Sequence, residues 1–416
     1  MSLTFVVTFV ALILIAISGR VFVQLPKNIW ILFFAMPMGM ASSSMVVFAS
    51  GIIASKIAPS PELATLPITL MIVGTALAVI PATLMMNWFG RRKGTMIGFA
   101  IALVGALMLV YATLQAAFAA LIIGSCLLGF SIAFVAQMRF AALESLIDSA
   151  DAPKAISVLM VGGIFAAVIG PEMAVMGKYW VDSPHGFAGS FIGLAALQVI
   201  ALIALSLLDP IGVKEKLATG PARSFWQIVK QPIFLIAVAA GAIGYSVMSY
   251  IMTATPLSMH EVEGHSLEST KWVIQSHIVA MYLPSLFSAV LTRYLGLAKL
   301  MILGSLIYLS IVFIALDGRE VMHYWWALVL LGLGWNFLYT SGTLLLPSAY
   351  HNSERFKAQA TNDFTIFTVQ ALGSLSAGVI IFSQGWDWLV WIVVPFILLM
   401  LIISIWYFLL SKKISR

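Results

Sequence analysis

Long apolar runs recur along this chain at a spacing that a soluble domain cannot accommodate. Each holds roughly 20 mostly apolar residues, the length that an α-helix needs to cross the hydrocarbon core of a bilayer. Twelve such segments follow one another, at about 29–54, 64–89, 95–113, 116–138, 155–177, 188–208, 233–256, 270–292, 298–316, 322–347, 361–383 and 387–410. The sequence therefore predicts an all-α integral membrane protein with twelve spans.

The composition excludes several other classes of protein. Of the 416 residues, 62% are apolar and 9% are charged, whereas soluble domains have about 45–50% apolar and about 25% charged residues. This apolar excess excludes a soluble enzyme and a nucleic-acid binder. A secreted disulfide scaffold is excluded as well, since Cys126 is the only cysteine. Because no nucleotide loop or nucleophile–base–acid set is present, we expect no enzymatic activity and no cofactor. We expect a monomer whose partners are the lipid bilayer and a small solute or metal ion.

An additional apolar segment, residues 2–19, precedes the twelve spans. It has no basic residue ahead of its apolar run and no small-residue cleavage site, so a signal peptide is a poor interpretation. We predict a thirteenth helix whose N-terminus lies outside.

Lysine and arginine residues set the orientation. If the loop with Arg91, Arg92 and Lys93 faces the cytoplasm, 18 of the 22 basic residues lie inside. The four outside are Lys56, Lys178, Lys271 and Arg319. Since basic residues concentrate in cytoplasmic loops, the pattern predicts a multi-pass membrane protein with a cytoplasmic C-terminus.

A spacing repeat divides the chain into two halves. Two sets of four residues have the same spacing and lie 206 positions apart. Asn87, Gly90, Lys93 and Gly98 near the end of the second span correspond to Arg293, Gly296, Lys299 and Gly304 near the end of the eighth. Parallel six-helix halves are one transporter architecture. The sequence predicts an extra helix in residues 1–27, a six-helix bundle in 28–208, a cytoplasmic linker in 209–231 and a second six-helix bundle in 232–416.

The segment Gly90-Arg91-Arg92-Lys93-Gly94 resembles the signature of the major facilitator superfamily, and the resemblance extends from about residue 28 to the end of the chain. It implies two six-helix bundles that work by alternating access. It also implies a conformational latch formed by Asn87, Arg91, Arg92 and Lys93, although Asn87 stands where the signature usually has an aspartate. The alternative is that these basic residues only fix the topology.

Charged residues also follow the fourth span. Arg139 ends the span, and Glu144, Asp148 and Asp151 come shortly afterwards. We expect these residues to form an ion-pair cluster at the cytoplasmic end.

One carboxylate lies within an apolar run and is a candidate for ion coupling. Glu172 follows Gly170 and Pro171 in the fifth span. Ionisable groups at membrane depth are costly and often functional, and burial raises the pKa of a carboxyl group. Glu172 is thus either a proton carrier or a carboxylate that faces water at the outer end of its helix.

Soft ligands recur at a spacing of four residues. Met248 and Met252 share one face of the seventh span, and His277 and Met281 share one face of the eighth. Thioether and imidazole groups suit Cu(I), so the four residues form a candidate metal site. Methionine also fills gaps between packed helices, which is the alternative interpretation.

The segments Tyr245-Ser246-Val247-Met248-Ser249-Tyr250-Ile251-Met252 and His277-Ile278-Val279-Ala280-Met281 resemble the CcoA-type (CalT family) copper importers. That resemblance implies metal binding by Met248, Met252, His277 and Met281, with copper as the transported substrate. The leading hypothesis is therefore a secondary transporter of a bacterial inner membrane that takes up copper. Its alternative is a proton-coupled transporter of an organic solute such as a siderophore, drug or metabolite. A membrane assembly factor or sensor is a third possibility, which the two-half repeat disfavours.

Overall fold

The computed structural model describes residues 2–148, 151–211 and 223–414. These residues form helices and contain no β-strand, so the predicted all-α membrane fold is confirmed. The chain divides into two compact units, Met1–Lys214 and Glu215–Arg416.

The helices of the first unit are α1 (Leu3–Phe22), α2 (Lys27–Met45), α3 (Gly51–Ile57), α4 (Leu66–Gln115), α5 (Phe118–Glu144), α6 (Ala152–Gly177) and α7 (Ala188–Leu205). A π-helical turn, Val46–Ser50, joins α2 to α3, and a 3₁₀ turn, Pro61–Thr65, precedes α4. Helix α2 packs against α5, α6 and α7, while α4 packs mainly against α5. Helix α1 contacts α2 and α6.

The helices of the second unit are α8 (Phe225–Val229), α9 (Pro232–Pro256), α10 (Leu267–Tyr282), α11 (Ser288–Asp317), α12 (Val321–Leu345), α13 (Arg355–Ser383) and α14 (Gly385–Ile414). Helix α9 packs against α13 and α12, and α11 packs against α12 and α14. Helix α10 packs mainly against α12. Arg223, ahead of α8, donates to both carboxylate oxygens of Glu354, at 2.8 and 2.6 Å. This guanidinium holds the pKa of Glu354 below its usual range.

In the described part of the chain, twelve helical segments are long and apolar enough to cross a membrane, and Leu3–Phe22 is one of them. The expected span at 270–292 is not among the twelve, because it is divided into α10, a short turn and the part of α11 that precedes Gly296. Helix α10 ends at Tyr282 and continues as a 3₁₀ turn, Leu283–Phe287. Pro284 lacks the N–H that an α-helix requires. Asn336 of α12 supports the break, because its Nδ2 donates to the Met281 carbonyl at 2.7 Å.

The repeat seen in the sequence has a counterpart in the backbone. Gly90 interrupts α4 with φ 78° and ψ 160°, and Gly296 interrupts α11 with φ 73° and ψ 161°. Side chains other than glycine rarely adopt positive φ. The two glycines therefore produce the same sharp turn between consecutive spans, 206 residues apart in the sequence.

Candidate functional site

Five aromatic side chains from four helices meet in the second unit. This aromatic cluster consists of Tyr245 on α9, Tyr282 on α10, Trp335 and Tyr339 on α12, and Phe367 on α13. Trp335 and Tyr339 are stacked, with centroids 5.0 Å apart and planes inclined by 10°. The Tyr245 ring stands edge-on to both, at 5.1 Å from each. The cluster thus combines a stacked pair with a perpendicular ring.

The position of the cluster along its helices suits a binding surface. Tyr245, Trp335 and Phe367 lie near the middle of α9, α12 and α13, which is the depth at which secondary transporters bind their cargo. Tyr245, Tyr339 and Phe367 remain partly accessible, whereas Trp335 is buried. Tyrosine hydroxyls at this depth are better placed in a water-filled interior than against lipid. The cluster can therefore present ring faces and edges to a planar organic molecule.

Unused hydrogen-bonding capacity lies close to these rings. Trp335 Nε1 and Gln370 Oε1 are buried and have no hydrogen-bond partner among the residues that the structure describes. Gln370 follows Phe367 by one turn of α13, and its Nε2 donates to Ser249 Oγ on α9 at 2.6 Å. A buried polar atom without a partner is costly in free energy, so these atoms suit a ligand that supplies the missing bonds.

The four candidate metal ligands lie on α9 and α10, two helices that both pack against α12. Met248 and Met252 are buried on α9. His277 is fully buried on α10, and its Nδ1 donates to the Leu328 carbonyl of α12 at 2.7 Å. Its Nε2 has no hydrogen-bond partner in the described residues. The structure therefore places His277 and Met281 against α12, and Met248 and Met252 on the helix that packs against α13 and α12.

Glu172 is buried, with 3% of its surface exposed, so it does not face water in this structure. Ser2, the N-cap residue of α1, donates from its Oγ to Glu172 Oε2 at 2.7 Å. The extra N-terminal helix thus brings a hydroxyl group to the one carboxylate that the sequence singled out for ion coupling. No local pattern indicates this contact, because 170 residues separate the two side chains along the chain.

The candidate latch centres on a bidentate ion pair. Arg91, directly after the turn at Gly90, donates from Nε to Glu144 Oε2 at 2.9 Å and from a terminal nitrogen to Glu144 Oε1 at 2.5 Å. Both side chains are largely buried. Arg92 donates to the Ser206 carbonyl, and Lys93 is exposed. The side chain of Asn87 lies outside the described part of the structure.

Among the described residues the expected ion-pair cluster does not form around Arg139, because Glu144 pairs with Arg91 and Asp151 pairs with Lys154 at 2.7 Å. The Arg139 guanidinium lies over the Phe140 ring, at 4.8 Å from its centroid. Arg139 and Glu144 are five residues apart, and residues at that spacing do not share a helix face. Glu144 also ends α5, where the helix dipole disfavours an anion, so the guanidinium of Arg91 offsets an unfavourable position.

Most of the chain matches the model of a known protein family. The family model described as the Major Facilitator Superfamily matches residues 29–355.

Three bacterial proteins are similar over nearly their whole lengths. The riboflavin transporter RfnT of Brucella anthropi is 35% identical over 383 residues, which cover 90% of this chain and 94% of that protein. YddS and YdeG of Bacillus subtilis, both named as uncharacterized MFS-type transporters, are 30% and 29% identical. Their matches cover 92% and 84% of this chain, and 91% and 84% of the two relatives.

Proposed function

The chain belongs to the major facilitator superfamily, and we propose that it carries riboflavin or a closely related flavin across a bacterial cytoplasmic membrane. The observation that carries the proposal is the 35% identity to a riboflavin transporter over 90% of the chain. Membership confirms the family resemblance expected from residues 90–94. The similarity to a riboflavin transporter favours an organic solute over copper and does not support the finer resemblance to copper importers.

The aromatic cluster supports a flavin on chemical grounds. The isoalloxazine part of riboflavin is a flat, three-ring system that stacks well on aromatic side chains. Trp335, Tyr339 and Tyr245 offer a stacked pair and a perpendicular edge, two arrangements that aromatic rings favour. The ribityl chain of riboflavin carries several hydroxyl groups, for which tyrosine hydroxyls are suitable partners.

Uptake of radiolabelled riboflavin tests the proposal. The full chain would be expressed in a bacterium that makes no riboflavin and lacks its own riboflavin importer. We expect growth on low external riboflavin and saturable uptake that excess unlabelled riboflavin suppresses. Growth and uptake equal to those of cells with an empty vector would contradict the proposal.

We further propose that uptake proceeds by alternating access and is coupled to protons through Glu172. The burial of Glu172 and the bond from Ser2 support this role. An ionisable side chain at membrane depth is costly in free energy, and such residues usually have a function. In proteoliposomes, Glu172→Gln should abolish riboflavin accumulation driven by a pH gradient, since the amide cannot carry a proton. Riboflavin binding should persist, because the substitution keeps the size of the side chain.

Glu62→Gln is the matched control for this prediction. Glu62 lies in the 3₁₀ turn before α4 and should leave gradient-driven accumulation unchanged. Normal accumulation by the Glu172→Gln protein would remove Glu172 from the coupling mechanism.

Copper remains a second candidate cargo, and the buried, unpartnered Nε2 of His277 is the observation that favours it. Replacing both Met248 and Met252 with leucine separates the two cargos. The exchange conserves side-chain volume and usually costs less than about 1.5 kcal/mol. We expect riboflavin uptake to change by less than about twofold, the effect that a shift of roughly 0.4 kcal/mol would have, and cellular copper to stay constant. Copper accumulation that depends on the protein and falls in the double variant would favour copper.

We propose the orientation that the basic residues indicate, with residues 91–93 and the C-terminus in the cytoplasm and the N-terminus of α1 outside. The excess of lysine and arginine on one side supports it. This orientation places the Arg91–Glu144 ion pair on the cytoplasmic side of the first unit and the Ser2–Glu172 contact on its outer side.

A further inference from the structure

A buried amide and a buried hydroxyl lie one helical turn beyond the aromatic cluster. Ser249 follows Tyr245 by four residues on α9, and Gln370 follows Phe367 by three residues on α13, so each shares a face with a ring of the cluster. Ser249 and Gln370 are 6% and 8% exposed. Gln370 Nε2 donates to Ser249 Oγ at 2.6 Å.

The bond to Ser249 leaves the carbonyl oxygen of Gln370 as an unused acceptor. Gln370 Oε1 has no hydrogen-bond partner in the described residues, and the same holds for the buried indole donor Nε1 of Trp335. Buried side-chain polar atoms are nearly always hydrogen-bonded in native proteins. An acceptor without a partner, one helical turn from Phe367 of the aromatic cluster, indicates a ligand that can donate a hydrogen bond.

We propose that Gln370 determines substrate specificity by accepting a hydrogen bond from the imide N–H of the flavin. The inference rests on the proposed function. The pyrimidine ring of isoalloxazine presents an N–H between two carbonyl groups, so Gln370 Oε1 can accept a hydrogen bond from that N–H. Ser249 is a positioning residue, because it holds the Gln370 amide so that the oxygen remains available.

The pairing of α9 with α13 does not depend on Gln370 alone. Two other hydrogen bonds already join α9 to α13: Ser246 Oγ donates to the Val369 carbonyl at 3.3 Å, and the Thr253 and Ser374 hydroxyls lie 3.2 Å apart. Both flank the Gln370–Ser249 bond along the same interface. Thr253→Val therefore serves as a matched control that removes a buried α9–α13 bond of similar depth.

The test compares two flavins that differ at one atom. In 3-methylriboflavin a methyl group replaces the imide hydrogen, so the molecule can still stack but cannot donate to Gln370. In proteoliposomes with the full chain, we measure how well unlabelled riboflavin and 3-methylriboflavin compete with labelled riboflavin. Sites built around a hydrogen bond strongly reject analogues that lack it. We expect 3-methylriboflavin to compete at least about tenfold more weakly against the unsubstituted protein.

The variants assign this discrimination to Gln370. The Gln370→Leu protein should bind riboflavin at least about tenfold more weakly. Riboflavin and 3-methylriboflavin should compete equally well for this variant. Ser249→Ala should show an intermediate ratio, and Thr253→Val should keep the ratio of the unsubstituted protein. Because each ratio is taken within one variant, differences in protein amount cancel.

Several outcomes would overturn the inference. If both flavins compete equally against the unsubstituted protein, or if Gln370→Leu still discriminates, Gln370 does not recognise the imide while the proposed function stands. The comparison of the two flavins on the unsubstituted protein needs no variant, so it tests the inference even if the Gln370→Leu protein does not fold. A protein that takes up no riboflavin overturns both the proposed function and this inference.

Discussion

Replacing Trp335 with leucine is expected to weaken riboflavin binding about 5- to 150-fold and to reduce uptake at low riboflavin concentration by a similar factor. Trp335 is buried and packs against the partly accessible rings of Tyr245 and Tyr339, so its loss should displace the rings on which the flavin stacks. Stacking of a heteroaromatic ring on an aromatic side chain contributes about 1–3 kcal/mol, which corresponds to that range of affinity. The effect should be large because Trp335 contacts Tyr245, Tyr282 and Tyr339, so its loss also leaves those rings without support.

Flavin fluorescence provides a direct measurement, because stacking against tryptophan and tyrosine quenches it. Titration of riboflavin with the purified protein should show quenching that Trp335→Leu removes and Tyr339→Phe largely keeps. Trp391→Leu is the matched control, since Trp391 lies on α14 with 54% of its surface exposed. Unchanged quenching and uptake in the Trp335→Leu protein would show that the flavin binds elsewhere.

Removing either member of the Arg91–Glu144 ion pair should be the most damaging change in the first unit. The partner that remains is a largely buried charge without its counter-ion, and breaking a buried pair in this way costs about 3–5 kcal/mol. Arg91→Gln and Glu144→Gln should therefore each lower the thermal unfolding temperature in detergent. Each should also reduce riboflavin uptake, because the pair joins the turn after Gly90 to the end of α5.

The reversed pair, Arg91→Glu with Glu144→Arg, distinguishes a specific interaction from a general requirement for these side chains. We expect it to recover part of the stability that either single variant loses. Lys93→Gln is the control, since Lys93 is exposed beside Arg91 and should change the unfolding temperature little. A Glu144→Gln protein as stable as the unsubstituted chain would contradict a structural role for the pair.

The fold could be predicted from the sequence because membrane helices obey local rules. The length and polarity of each apolar run can be read from consecutive residues, so the all-α membrane fold follows from the pattern. The eighth span shows where such rules stop. Its apolar residues continue to position 292, but Pro284 ends the α-helix early, and the carbonyl of Met281 needs Asn336 from α12. That amide lies 55 residues away, beyond the reach of a local pattern.

The candidate site was harder to predict because it depends on which helix faces meet. A four-residue spacing places Met248 and Met252 on one face, but it does not say which helix that face contacts or what it binds. The aromatic cluster draws its rings from four helices between positions 245 and 367. Aromatic residues near the middle of several spans were the available signal, and it is weak, since aromatic residues are common in membrane helices.

The two matching turns at Gly90 and Gly296 have a consequence for how the halves have evolved. An internal repeat of this kind is typical of gene duplication, after which each copy accumulates its own changes. In the described residues the first copy keeps an ion pair beside its turn, whereas Arg293 and Lys299 of the second are exposed and form no ion pair there. The second copy carries the aromatic rings instead. Natural variants that alter charge should therefore be eliminated mainly from the first copy, and variants that alter ring size mainly from the second.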